Sequence, residues 1–245
     1  MIFYIALNIL LPLAVVIHIF RNGRSIYWLW VVFVPIIGPL AYFIVEILPE
    51  LGNSRAVRKA NKVILDKVNP NRDIRQHADA LEVADTIDNT LNLAQALKER
   101  GLFDDALALY SKAQTGIYKD DPHILLGKAE ILFKKADYAS AKSVLEELIE
   151  KNPDFKSAEG HLLYAKSLEG VGETEKAQHE YEVLCEYYAG PEPKCHYARI
   201  LKAQGQEDKA LALYKAVVTT AKRGGRHYNQ LHKEWINNAK QALKD

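Results

Sequence analysis

The rhythm of apolar and polar positions changes once along this chain, near residue 50. Residues 2–20 and 26–45 are two runs without a fixed charge, separated by the turn-like Arg21-Asn22-Gly23-Arg24-Ser25. At about 1.5 Å per residue, the second run matches the hydrocarbon core of a bilayer and the first just reaches it. The pattern predicts a two-helix transmembrane hairpin in 1–50, with spans over 2–20 and 26–48. Tyr27, Trp28 and Trp30 stand where an interfacial aromatic belt belongs. Pro35, Gly38 and Pro39 predict a kink in the second span, because each disturbs the backbone ladder that lipid cannot replace.

Beyond residue 50 the apolar positions take up a helical period. Val57, Ala60, Ile64 and Val68 make one stripe among basic neighbours, and Asn69-Pro70-Asn71 ends it. Ile74, Ala78, Leu81 and Ala84 renew the stripe, which predicts an unbroken helix towards Gly101. Residues 51–86 are therefore an amphipathic connector and entry helix. At the far end Tyr228, Leu231, Trp235, Ala239 and Ala242 predict one capping helix within 225–245.

Between these ends the chain repeats itself. Gly101-Leu-Phe-Asp-Asp-Ala106-Leu-Ala-Leu-Tyr110 recurs in register around Ala141, Ala177 and Ala210, at separations of 35, 36 and 33 residues. Twelve residues before each of these lies another alanine (Ala94, Ala129, Ala165, Ala198), with a leucine three residues after it (Leu97, Leu132, Leu168, Leu201). A period near 34 with small residues at two fixed places resembles the tetratricopeptide repeat. The resemblance covers 87–224 as four repeats. The expected fold is all-α: a transmembrane hairpin, then a tetratricopeptide-like α-solenoid with a C-terminal capping helix.

In that family the first helix of each pair lines a concave groove. Carried over residue by residue, the resemblance places Leu91, Gln95 and Lys98 there in the first repeat, and Leu126, Glu130 and Phe133 in the second, with Lys134 beside them. Leu162, Lys166 and Glu169 follow in the third, and Cys195, Arg199 and Lys202 in the fourth. The polar members Gln95, Lys98, Glu130, Lys134, Lys166, Arg199 and Lys202 are the candidate partner contacts, the cations meeting a peptide's carboxylates. Chaperone C-terminus recognition is not expected, because Leu91 and Gln95 stand where that clamp needs Lys and Asn.

The segment from Trp28 to Tyr42 resembles the N-terminal membrane hairpin of cardiolipin synthases and related phospholipase D-family proteins. Their catalytic His-x-Lys-x4-Asp is missing, since none of the eight histidines has a lysine two residues later. The order of parts is similar to a family that joins such a hairpin to tetratricopeptide repeats.

Charge narrows the function further. Lys and Arg number 32 against 31 Asp and Glu, so the net charge of +1 gives no basis for a nucleic-acid binder. Four of these charges fall in residues 1–50 (Arg21, Arg24, Glu46, Glu50), leaving a highly charged body behind an uncharged end. Two cysteines, Cys185 and Cys195, cannot build a disulfide scaffold or a four-ligand zinc site. No phosphate loop or nucleophile motif appears, so neither enzyme activity nor a cofactor is expected. Arg55, Arg58, Lys59, Lys62 and Lys67 outnumber the two arginines of the hairpin turn, which puts the repeats on the cytoplasmic side. The expectation is a multi-pass protein of the bacterial inner membrane that scaffolds an unidentified protein partner in its groove. The alternative is a lipid-linked regulator acting through the bilayer contacts of the kinked hairpin and basic connector.

Overall fold

The computed structural model describes residues 11–21, 25, 27–32, 34, 41–47 and 71–244. The chain divides into two compact units, 1–72 and 73–245. Among the described residues all regular structure is helical.

In the first unit, α1 (Leu11–Arg21) and the short α2 (Trp28–Val32) are followed by a π-helical turn, Phe43–Ile47. Val15, Ile19 and Tyr42 form a small buried cluster, with Trp28 edge-on to the Tyr42 ring at 5.2 Å. The polar ends are tied inside the unit: the Trp28 indole donates to Glu46 at 2.9 Å, and His18 Nδ1 lies 3.0 Å from the Tyr42 hydroxyl. Leu13, Ile17 and Phe20 stand exposed along one face of α1.

These observations correct the membrane reading. Among the described residues no helix is long and apolar enough to cross a membrane. The described part of the first predicted span is a helix of 11 residues, and that of the second a helix of 5 residues and a π-turn. At ~1.5 Å per residue the longer reaches about half of a bilayer core. The transmembrane hairpin and the inner-membrane location with a cytoplasmic domain are withdrawn accordingly. Residues 2–10, the predicted kink at Pro35, Gly38 and Pro39, and the basic connector 54–68 lie outside the described residues.

The second unit carries α3 (Arg72–Val83) and then helix pairs: α4 (Ile87–Glu99) with α5 (Phe103–Ala113), α6 (Pro122–Lys134) with α7 (Tyr138–Lys151), α8 (Ala158–Gly170) with α9 (Thr174–Tyr187), and α10 (Glu192–Ala203) with α11 (Glu207–Arg223). The chain closes with α12 (Arg226–Leu231) and α13 (Lys233–Ala242). Two expectations change here. The entry helix is broken at 84–86, where Thr86 caps α4 by accepting from the Asn89 amide and Asn89 turns its side-chain amide onto the Ala80 and Ala84 carbonyls. Side chain–backbone bonds of this kind outcompete helix continuation even where the apolar stripe runs on. The expected single cap is likewise two helices: of its stripe Ala239 is buried and Leu231 exposed, and Ile236 is buried beside Ala239.

Each pair is closed by the same joint. The amides of Leu102, Asp137, Glu173 and Gln206 reach back to the carbonyls of Leu97, Leu132, Leu168 and Leu201. Those of Gly101, Ala136, Gly172 and Gly205 bond three residues back. This is a Schellman ending, which requires a left-handed residue, and those four positions have φ of 76°, 61°, 85° and 77°. The carbonyls of Leu102, Asp137, Glu173 and Gln206 then accept from the amides of Ala106, Ala141, Ala177 and Ala210, starting the second helix at once. The eight repeated alanines are buried at the crossings. Side chains without bulk let paired helices approach closely, and the large residue one turn on (Tyr110, Leu145, Tyr181, Tyr214) fills the space beside the crossing.

Candidate functional site

The face made by the first helices, α4, α6, α8 and α10, carries a chain of charged contacts that crosses every repeat boundary. Lys98 on α4 lies 2.5 Å from Glu130 on α6. Lys166 on α8 sits over the Phe133 ring of α6, 5.3 Å from its centroid, and reaches Glu192 on α10 at 2.9 Å. Arg199 on α10 is hydrogen-bonded to Glu169 on α8. Three cations predicted to await a partner's carboxylates are thus held by glutamates of the chain itself.

Glu169 is the most heavily bonded of these acids. The Tyr181 hydroxyl donates to it at 2.9 Å, and His196 Nδ1 lies 3.3 Å away. Burial acts to raise this carboxyl's pKa, but hydrogen bonds from His196, Arg199 and Tyr181 outweigh it and hold the group at about 2. Burial, and then the Glu169 charge, push the Tyr181 hydroxyl far up, so it acts as a fixed donor. The His196 ring is stacked on Tyr181 at 5.0 Å and 9°, and Trp235 of α13 is tilted against it at 5.0 Å. Trp235 thereby ties the C-terminal helices to the first-helix face.

Five of the remaining predicted positions divide into two groups. Gln95, Lys134 and Lys202 are exposed; Gln95 donates to Glu99, while neither lysine has an ion pair among the described residues. Leu162 and Cys195 are buried in the cores of the third and fourth repeats, and the Cys195 thiol points at the Trp235 carbonyl. They pack repeats together and offer nothing to a partner. Burial raises the Cys185 thiol to about 11 and the Cys195 thiol to about 12, so neither supplies a thiolate near neutral pH. Among the described residues no group of three or more His, Cys, Asp or Glu is placed to hold a metal ion.

Comparison with known proteins decides the architecture. The tetratricopeptide repeat family profile matches residues 97–167, from the end of α4 into α8. The array has the fold of a tetratricopeptide-like α-solenoid. Solved structures of the same fold extend the likeness beyond that segment. MamA residues 41 to the end from Desulfovibrio magneticus RS-1 is 16% identical, covers 66% of this chain and 91% of its own, with a TM-score of 0.55. TTC0263, a thermophilic tetratricopeptide-repeat protein of Thermus thermophilus, is 19% identical over 70% of this chain and 89% of its own, with a TM-score of 0.53. YrrB, described as having an unusual peptide-binding site, is 17% identical over 69% and 93%, with a TM-score of 0.50. At these identities the likeness is one of fold. No curated protein matches the chain.

Sequence reasoning missed a cleft elsewhere on the solenoid. It has a volume of about 920 Å³ and lies where α7, the 152–157 loop, α8 and α9 meet. The sequence holds Pro153 in that loop, but nothing in it shows the path that opens the space.

Proposed function

We propose that this protein is a protein–protein interaction scaffold that takes an extended or helical partner segment along its first-helix face. The observation that carries the proposal is the set of contacts between first helices: Lys98–Glu130 joins α4 to α6, Lys166 over Phe133 joins α6 to α8, and Lys166–Glu192 and Arg199–Glu169 join α8 to α10. Side chains held this way lose little further rotamer freedom when a partner arrives, which lowers the cost of binding. The face also presents a mixed charge pattern, with Lys134 and Lys202 exposed to meet a partner's carboxylates and Phe133 available for an apolar side chain. The fold shared with YrrB, a protein with a peptide-binding site, supports the same role.

The test places a photo-crosslinking residue at Lys134, at Lys202 and, as a control on α11, at Lys209. Irradiating intact cells should give one discrete protein adduct from both face positions and none from Lys209. Exchanging the half-buried partners in the double variant K166E/E192K keeps the pair while reversing its polarity, and should remove the adduct from a folded protein. Equal smears from all three positions, or an adduct indifferent to the exchange, would refute recognition by this face.

A further inference from the structure

The cleft at the joint of the second and third repeats lies on the side of α8 turned away from the ion pairs. At about 100° per residue, Tyr164 and Lys166 are rotated roughly 200° from one another around the helix. The loop enters at Lys151, where the Asn152 amide closes on the Leu148 carbonyl, and leaves through Ser157, which accepts from the Gly160 amide at 3.0 Å. Leu145, Leu148, Phe155, Tyr164 and Tyr187 supply an apolar and aromatic lining. The volume falls in the range of sites that hold a ligand or an anchoring side chain.

One wall is polar. His161 Nε2 lies 2.6 Å from Glu180, and a carboxylate only accepts, so this nitrogen carries the proton. Nδ1 lies 2.5 Å from the Tyr187 hydroxyl. This arrangement orients Glu180 towards the cleft, which it lines. Glu146 accepts from the Tyr164 hydroxyl at 3.4 Å, and Glu159, exposed in the first turn of α8, has no ion pair among the described residues. Burial raises both tyrosine hydroxyls, and Glu146 and Glu180 at Tyr164, with Glu180 and Glu159 at Tyr187, raise them further. In the lining itself one lysine, Lys156, stands with one carboxylate, Glu180, while Lys142, 3.6 Å from Glu146, is bonded more closely to Glu173.

An apolar cleft lined by Glu180, with the exposed Glu159 near enough to Tyr187 for its charge to act on that hydroxyl, favours positive charge beside an apolar anchor. We infer that it is a second recognition site, for a partner segment that inserts one aromatic or aliphatic side chain between Phe155, Tyr164 and Tyr187 and sets lysines or arginines against Glu159 and Glu180. Faces of Tyr164 and Tyr187 add cation–π attraction for the same charges. An acidic segment would meet repulsion from those glutamates.

The probe is a fluorescein-labelled helical peptide with one tryptophan flanked by lysines, compared with a counterpart in which every lysine is glutamate. With the full chain, anisotropy should show the lysine peptide binding at least ~10-fold more tightly than its counterpart, and more weakly as salt rises. Ala158→Trp fills the cleft and should reduce binding by about 10-fold or more. Glu159→Lys, at an exposed position that leaves the fold intact, should weaken it several-fold, whereas Asp208→Lys on α11 makes the same charge change elsewhere and should have no effect. The inference is overturned if the lysine peptide does not bind, if the two peptides bind alike, or if Glu159→Lys binds as tightly as Asp208→Lys.

Discussion

The Lys98 ammonium, on a residue only 9% exposed, lies 2.5 Å from the Glu130 carboxylate one repeat further on. Burial makes this pair different from the exposed ion pairs on the same solenoid. Glu130→Ala leaves the ammonium enclosed without a counter-charge, at a cost of about 2–3 kcal/mol, between the values for exposed and fully buried pairs. Replacing both residues by methionine removes the stranded charge and should restore most of that loss. Urea unfolding of the two single variants and the double variant measures the coupling. A Glu130→Ala loss below about 0.5 kcal/mol would mean that the lysine finds water instead.

Glu169 predicts how stability depends on acidity. Its carboxyl is held at about 2 in the folded chain, against an ordinary 4.5, by hydrogen bonds that outweigh its burial. A depressed carboxylate pKa stabilises the fold above the unfolded value and loses that contribution as pH falls through the folded one. Converting the whole difference would give roughly 3.4 kcal/mol, and solvent screening at this half-buried group reduces it to about 1–2 kcal/mol. Wild type should therefore exceed Glu169→Gln by that amount at pH 7, with the gap closing between about pH 4.5 and 2. Denaturation midpoints of both proteins across that range test the sign as well as the size.

The four left-handed helix ends offer a direct comparison of backbone cost. Gly101, Gly172 and Gly205 occupy three of them, and Ala136, at φ 61°, occupies the other. An L-residue in this conformation costs roughly 1–2 kcal/mol, so Ala136→Gly should stabilise the chain by about 1 kcal/mol. Gly172→Ala should destabilise it by a similar amount. A Cβ added there meets nothing within 4 Å, so the loss comes from the backbone alone. Opposite shifts in thermal midpoint would confirm both; equal shifts would show that the second repeat accommodates Ala136 by other means.

The repeats were legible because their determinants recur at fixed spacing: an alanine at each crossing, a leucine accepting the Schellman bond, a small residue at the turn. Features that depend on one local bond or one encounter between repeats were not. The apolar stripe through Ile74, Ala78, Leu81 and Ala84 continues across the point where Thr86 and Asn89 stop the helix, so periodicity alone carries the prediction past it. Lys98 and Glu130 are 32 positions apart, and nothing in either helix identifies the other as its partner. At the N-terminal end, hydropathy registers that residues are apolar but not that the Trp28 indole and Glu46 bond to one another.

The same dependence on a neighbour gives the sharpest packing test, at Gly127. A Cβ built there would lie 2.4 Å from Cε1 of Tyr110, the large residue beside the first repeat's crossing. Tyr110 and Gly127 are therefore a matched pair: the ring of one repeat occupies the space that a side chain on the next would need. At the equivalent junction of the third and fourth repeats, Tyr181 instead stacks flat on His196. Gly127→Ala should force the Tyr110 ring out of place and cost about 1–3 kcal/mol, the usual range for overpacking. Tyr110→Leu in the same chain installs the residue that the second repeat carries at this register, Leu145, and removes the ring carbons in conflict. The double variant should then be more stable than Gly127→Ala alone, even though Tyr110→Leu by itself creates a cavity and destabilises wild type. Additive losses in the double variant would show that the backbone of α6 moves to relieve the contact and that the two positions are not matched.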